Sequence, residues 1–179
     1  MRPSPAMDSS GILYGMTDIV IREAGAADAE SLALLRYEFR RELGGALENK
    51  NTFQQRCAAW MSSRLSADWK CWVALRKDEI VGQLWLHLIE KMPNCNGAPE
   101  QHGYITNLYV RPECRGGVGA RLLQHALKWL KQKEVDAVIL WPSPRSRTLY
   151  MRHGFRVPGD ILELRGPTVD SKFENVEPS

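Results

Sequence analysis

Leu108-Tyr109-Val110-Arg111-Pro112-Glu113-Cys114-Arg115-Gly116-Gly117-Val118-Gly119-Ala120-Arg121-Leu122-Leu123 is the stretch that decides the fold. It reads as an apolar strand, a glycine-rich turn led by arginines, and the opening of an amphipathic helix. Glycine lets the backbone turn tightly and approach a ligand without a Cβ in the way. The first amides of a helix have no partner inside it. With the positive end of the helix dipole behind them, they form an anion site suited to a pyrophosphate. The Lys-Ser/Thr that ends a P-loop is missing, which argues against a magnesium nucleotide, and the spacing is not the G-x-G-x-x-G of a dinucleotide fold. On the glycines alone, an ordinary helix start with nothing bound is an equal alternative.

Outward from this stretch, the pattern places a short strand over residues 18–24 and a helix carrying Leu32, Leu35, Phe39 and Leu43. Asp28 is placed to cap that helix and Gly44-Gly45 to end it. A second amphipathic helix covers residues 53–65, and residues 72–75 and 80–88 form a hairpin around Lys77-Asp78. A polar loop over 92–103 leads into a strand at 104–110. A helix at 118–131, a strand at 135–141, a short helix at 146–152 and a last strand region at Phe155 and 161–164 follow. Antiparallel hairpins followed by a βαβ unit predict an α/β fold of the mixed α+β kind. It is a single domain with a central, mostly antiparallel twisted sheet and helices on both faces.

Composition agrees with that picture. A length of 179 residues suits one domain, and 44% hydrophobic with 25% charged residues is ordinary for a globular chain. The net charge of +3 is too small to argue for nucleic acid. Four cysteines, Cys57, Cys71, Cys95 and Cys114, lack metal or C-x-x-C spacing and read as reduced thiols of a cytoplasmic protein. Cys114 borders a basic loop that would lower its pKa, against the blander reading of an inert small side chain. Neither a secretion signal nor a membrane segment is recognised. Residues 1–16 read as a flexible extension, 17–166 as the domain, and 167–179 as a polar tail.

A second stretch, Leu140-Trp141-Pro142-Ser143-Pro144, runs into Arg145-Ser146-Arg147-Thr148-Leu149-Tyr150-Met151-Arg152-His153-Gly154-Phe155. Taken with the first, it resembles the GCN5-related N-acetyltransferase (GNAT) family, over roughly residues 17–165. That family carries Arg/Gln-x-x-Gly-x-Gly/Ala at the head of a long helix, and later a Leu-Tyr pair followed by Gly-Phe. Aligned on Gly117-Val118-Gly119, the Arg/Gln position holds Cys114 and the arginine is Arg115, so the loop is one residue short. The resemblance implies acetyl-CoA as cosubstrate, no metal, and direct attack of a primary amine on the thioester. It implies two parallel central strands, 104–110 and 135–141, that splay apart so that pantetheine runs between them. Leu108, Tyr109 and Val110 would bond the pantetheine through their main chain. Arg115, Gly116, Gly117, Val118, Gly119 and Ala120 would hold the pyrophosphate. Ser143, where the family often has asparagine, and Ser146 would add hydroxyl donors to the cofactor. Tyr150 would be the general acid that protonates the departing thiolate.

The acceptor side is less defined. Glu90, Glu38 and His102 are candidate bases, each also readable as a solvated polar residue. Thr106 and Asn107 alternate along the central strand, so one of them faces the cleft. Asn107 would orient the amine or a water but cannot be a base. Tyr37, Glu38, Trp85 and Trp141, with Glu90, would line a pocket for a small cationic amine, which is favoured over a protein tail. Phe39 reads as core. Arg145 and Arg147 are assigned to CoA phosphates ahead of an anionic acceptor or plain solvation. A homodimer is expected, from the habit of the family and from a sheet edge left by the strand after Phe155. Two other functions stay open. One is an acyl-CoA sensor without turnover, against which Tyr150 counts. The other is a nucleotide-phosphate-binding regulator, against which the missing P-loop lysine counts.

Overall fold

The hairpin at the centre of the sheet closes on Lys77 and Asp78, whose φ angles of 47° and 67° are both positive. Such turns match the right-handed twist of the strands that they join. The computed structural model describes residues 18–44, 48–65, 67–93, 95, 100–159 and 161–164. The expected extension and tail therefore fall almost wholly outside the described residues. The chain forms two units, residues 1–141 and 142–179.

The first unit holds β1 (Ile19–Glu23), α1 (Ala29–Leu43), α2 (Lys50–Leu65), β2 (Trp69–Arg76), β3 (Glu79–Glu90), β4 (Gln101–Val110), α3 (Val118–Gln132) and β5 (Ala137–Ile139). The second holds α4 (Arg147–Arg152). The five strands lie in the order β1-β2-β3-β4-β5, antiparallel except for the parallel β4–β5 pair. This is the mixed, mostly antiparallel sheet that the sequence predicts. In β3, Gln83 donates from Nε2 to the Leu32 carbonyl of α1, and the Trp85 ring lies tilted 6.0 Å from that of Trp60 of α2. A Cβ on Gly82 would meet Leu122 of α3. Successive side chains of a strand point to opposite faces, so α1 and α2 cover one face and α3 the other. Sandwiching explains why β3 is buried continuously from Ile80 to Leu86 rather than alternately.

Several boundaries differ from expectation for local reasons. Asp28 does stand at the start of α1, but it does not cap it. Its carboxylate accepts from Arg22 at 2.7 and 2.8 Å and from the Gly25 amide at 2.9 Å. The hydrogen bonds from Arg22 hold its carboxyl below the usual aspartate range. α2 begins three residues early because Asn49 caps it, its Oδ1 accepting from the amides of Asn51 and Thr52. β5 is only three residues long. After Phe155 the described residues form no strand, and Leu162 and Leu164 are almost fully exposed. The described residues after Phe155 form no sheet edge, so of the two grounds for the homodimer expectation the habit of the family is the one that stands. Among the described residues no helix is long and apolar enough to cross a membrane.

Gly103 of β4 lies close against α3. A Cβ there would lie 2.7 Å from Leu130 Cδ2, and Leu130 is buried. Gly103→Val should therefore destabilise the protein by about 1–3 kcal/mol through overpacking. In a Leu130→Ala background the same substitution should cost less, because the cavity accepts the new side chain. Denaturant titration of the four proteins measures this coupling.

Candidate active site

β4 runs ten residues, but β5 accompanies only its first half. The last parallel pair is Tyr104↔Ile139, and among the described residues no strand pairs with β4 on that side from Ile105 to Val110. On its other edge the register with β3 slips. Thr106 faces Trp85 and Tyr109 faces Gln83, so Asn107 and Leu108 together oppose Leu84. This is a β-bulge, and Asn107 takes a left-handed φ of 52°, which asparagine tolerates better than most residues. Asn107 Oδ1 accepts a 2.8 Å hydrogen bond from Arg36 Nη1 of α1. Tyr104, Thr106, Asn107 and Leu108 all keep partial exposure, whereas Tyr109 and Val110 are buried.

The glycine-rich loop follows at once. Gly116 and Gly117 have φ angles of 99° and 127°, so two consecutive left-handed residues turn the loop into α3. Side chains with a Cβ rarely adopt these angles. The amides of Val118, Gly119 and Ala120 then open α3 with no acceptor inside the helix. The arginines of the loop are already engaged. Arg115 donates from Nε to the Val110 carbonyl at 2.9 Å and from Nη2 to both oxygens of Glu42 at 2.7 and 2.5 Å. Arg111 holds Glu38 through Nε at 2.9 Å and Nη2 at 3.1 Å, and also pairs with Glu79. Hydrogen bonding to Glu38, ahead of the cost of burial, raises the Arg111 pKa. Arg121 donates to the Ile19 carbonyl at 2.8 Å. Cys114 is buried, and burial raises its thiol pKa instead of the surrounding cations lowering it.

Not every expected acceptor residue comes to the bulge. Glu38 is bound to Arg111, so its charge is not open to a cationic amine. Trp85 is 2% exposed, with its Nε1 donating to Gln83 Oε1 at 2.8 Å; it is core. Glu90 pairs with Gln101 at the far end of β3, roughly 17 Å along the strand from Trp85. His102 sits beside it, opposite Ile89. The antiparallel register carries both away from the bulge. Tyr37 packs its ring 5.7 Å from Phe53 between α1 and α2. Phe39 packs on Tyr109 at 5.3 Å, as a core residue should. Trp141 is 61% exposed and stands edge-on to Tyr104 at 5.4 Å, beside the point where β4 and β5 part.

Two features escaped the sequence reading. Arg36 sits on the buried stripe of α1, seven, four and three residues after Ala29, Leu32 and Ala33. A cation on an apolar stripe was a signal open to notice. His87 bonds Asp68 at 2.8 Å, stacks on Trp69 at 4.6 Å, and lies directly across from Tyr104. Nothing in the sequence links positions nineteen apart in this way.

The second unit shows what Tyr-x-x-x-Gly-Phe does locally. Gly154, at φ 88°, ends α4 and lets the chain reverse. The Phe155 amide then donates to the Tyr150 carbonyl at 3.2 Å, and the two rings meet edge-on at 5.6 Å. Tyr150 is buried, and burial pushes its phenol up to about 12. Ser143 and Ser146 bond each other through their hydroxyls at 2.9 Å and form the turn that opens α4.

The family model for the Acetyltransferase (GNAT) family matches residues 35–155. Among solved structures, a predicted acetyltransferase from Clostridium acetobutylicum, with acetyl-CoA, is similar at a TM-score of 0.69 and 22% identity, over 82% of this chain and 96% of that one. A GCN5-related N-acetyltransferase from Ralstonia eutropha reaches 0.67 and 23%, over 82% and 98%. An acetyltransferase from Trypanosoma brucei reaches 0.64 and 23%, over 83% and 99%. A comparison with curated proteins found no match. At these identities the solved structures speak for the fold, while the family match spans most of the chain, bulge and glycine loop included. This chain belongs to the GNAT acetyltransferase family.

Proposed function

We propose that this protein transfers the acetyl group of acetyl-CoA to the nitrogen of a small primary amine. The observation that carries this is the unaccompanied half of β4, from Ile105 to Val110, running straight into the glycine loop. An extended ligand with amide groups adds to such an edge as a strand would, and pantetheine has that form. Its pyrophosphate then meets the first amides of α3. Because Arg111 and Arg115 are tied to Glu38 and Glu42, the main chain does the gripping.

In the reaction the amine lone pair attacks the thioester carbon, a C–N bond forms and the C–S bond breaks. Peptide N–H groups at the bulge are suited to stabilise the oxyanion. Tyr150 supplies the proton to the thiolate. Its role rests on the motif that contains it, and its raised pKa keeps it protonated throughout the neutral range. His87, oriented by Asp68, takes the proton lost by the amine through water. The decisive test is titration with acetyl-CoA, CoA and ATP, followed by an assay of CoA release with a panel of amines. Tight acetyl-CoA binding with no release for any amine would instead favour a sensor.

Three substitutions separate the parts. Gly117→Val forces a β-branched residue into a left-handed turn, and should weaken acetyl-CoA binding roughly tenfold or more in a folded protein. Calorimetry reads this directly. Tyr150→Phe should lower kcat by about a hundredfold while changing acetyl-CoA affinity far less. His87→Gln should also reduce kcat, by roughly tenfold or more, with acetyl-CoA affinity held. Wild-type turnover in either of the last two would remove that residue from the mechanism.

A further inference from the structure

Helix α1 carries two sets of like charge, the two members of each one turn apart. Glu38 and Glu42 turn to the start of the glycine loop, where Arg111 and Arg115 neutralise them. Arg36 and Arg40 form the other set. Among the arginines of the first unit, Arg22, Arg56, Arg111 and Arg115 each end on a carboxylate. Arg36 does not. Among the described residues its polar partner is the neutral Oδ1 of Asn107, and its guanidinium lies 5.5 Å from the centroid of the Phe39 ring. The ionisable groups that act on it most are Arg40, Cys57 and Tyr104, none of them a carboxylate. Burial first, and Arg40 second, lower its pKa.

A guanidinium drawn out of water without a counter-ion is unfavourable, and a second cation one turn away adds to the cost. Placing an anion there relieves both. The position says what the anion belongs to. Asn107 is the bulge residue, beside the free half of β4, so Arg36 is fixed where an acceptor must come to meet the thioester. Half-buried Tyr104 and exposed Trp141 border the same place.

We propose that the acceptor is a small amine that carries a carboxylate, such as an amino acid, and that Arg36, aimed by Asn107, binds that carboxylate. The inference rests on the acetyltransferase reading above and narrows it. In an α-amino acid the nitrogen is separated from the carboxyl carbon by a single carbon, so pairing the carboxylate fixes the nucleophile. The neutral amine attacks, the thiolate leaves and is protonated, one proton of the amine is released, and an N-acetyl amino acid with its carboxylate intact remains. The same unpaired cation repels an amine whose only charge is positive, which selects against a simple polyamine.

The test compares amino acids with their decarboxylated amines. Acetyl-CoA binding to the wild type is measured first by calorimetry, and its absence would overturn the donor assignment together with this inference. With acetyl-CoA bound, kcat/KM for the best amino acid should exceed that for its decarboxylated counterpart by roughly tenfold or more. Arg36→Met should bring that ratio close to one, chiefly through KM for the amino acid. Arg36→Lys, which keeps the charge but loses the paired geometry, should give an intermediate ratio. Equal use of both amines by the wild type would overturn the acceptor inference and leave the acetyltransferase reading standing. So would an unchanged ratio in Arg36→Met, a lysine peptide that outperforms every amino acid, or an Arg36→Met defect that appears as lost acetyl-CoA affinity. If Arg36→Met fails to fold, the wild-type comparison and Arg36→Lys decide the matter.

Discussion

The paired clasp of Arg111 on Glu38 and Arg115 on Glu42 is the constraint on which the rest of the site depends. Both arginines leave the end of β4, and both carboxylates come from the same face of α1. The Arg111–Glu38 pair is the more protected, with side chains 15% and 22% exposed. The two-pronged contact of Arg111 with Glu38 fixes orientation as well as distance, while Arg115 meets both oxygens of Glu42 from the single nitrogen Nη2. These contacts hold α1 against the strand just where the chain leaves the sheet to form the glycine turn. Arg115 adds a bond to the Val110 carbonyl, so the turn starts from a pinned strand end. Removing Arg111 would take from the partly buried Glu38 carboxylate the cation that holds it, which costs more than the pair is worth when intact.

That clasp has a chemical consequence. Cations beside a glycine loop invite assignment to phosphate, yet here they already have partners of opposite charge. What the loop has to offer is its backbone. Gly116 and Gly117, both left-handed, turn the chain into α3, whose first amides have no acceptor inside the helix. Backbone donors of this kind are set in place before the ligand arrives and carry little side-chain entropy to lose. On the proposed reading, the backbone of this loop meets the pyrophosphate, and that depends on both turn positions remaining glycine.

Much of the fold was legible because its signals were local. The two-residue hairpin turn, the glycine that ends α1, and the strand-turn-helix around Gly117 all lie within a few residues of the features that cause them. The helix that Asn49 caps was placed three residues short because its apolar period starts later than its cap. The strand expected after Phe155 failed for a different reason. Ile161, Leu162 and Leu164 have strand-like composition, but composition cannot tell whether a neighbouring strand exists to pair with. Tyr150 and the turn that anchors it were legible as one motif, and Gly154 and Phe155 show why those residue types recur together: one reverses the chain and the other returns a ring to the tyrosine.

The acceptor side was the least legible, and the cause is the sign of its charge. Counted along the sequence, Glu38, Glu90 and Trp85 suggest an acidic, aromatic pocket for a cation. Folding cancels Glu38 against Arg111, carries Glu90 to the far end of β3, and buries Trp85 under α2 with its indole N–H satisfied by Gln83. After those subtractions the charge left at the bulge is Arg36, which is positive. Pairing depends on contacts between residues about seventy positions apart, such as 36 with 107 and 38 with 111, and no local pattern encodes them. The preference of such a cleft follows from the charges that remain after the fold has made its own ion pairs. On the proposed reading, the charge that remains beside Asn107 favours an anion.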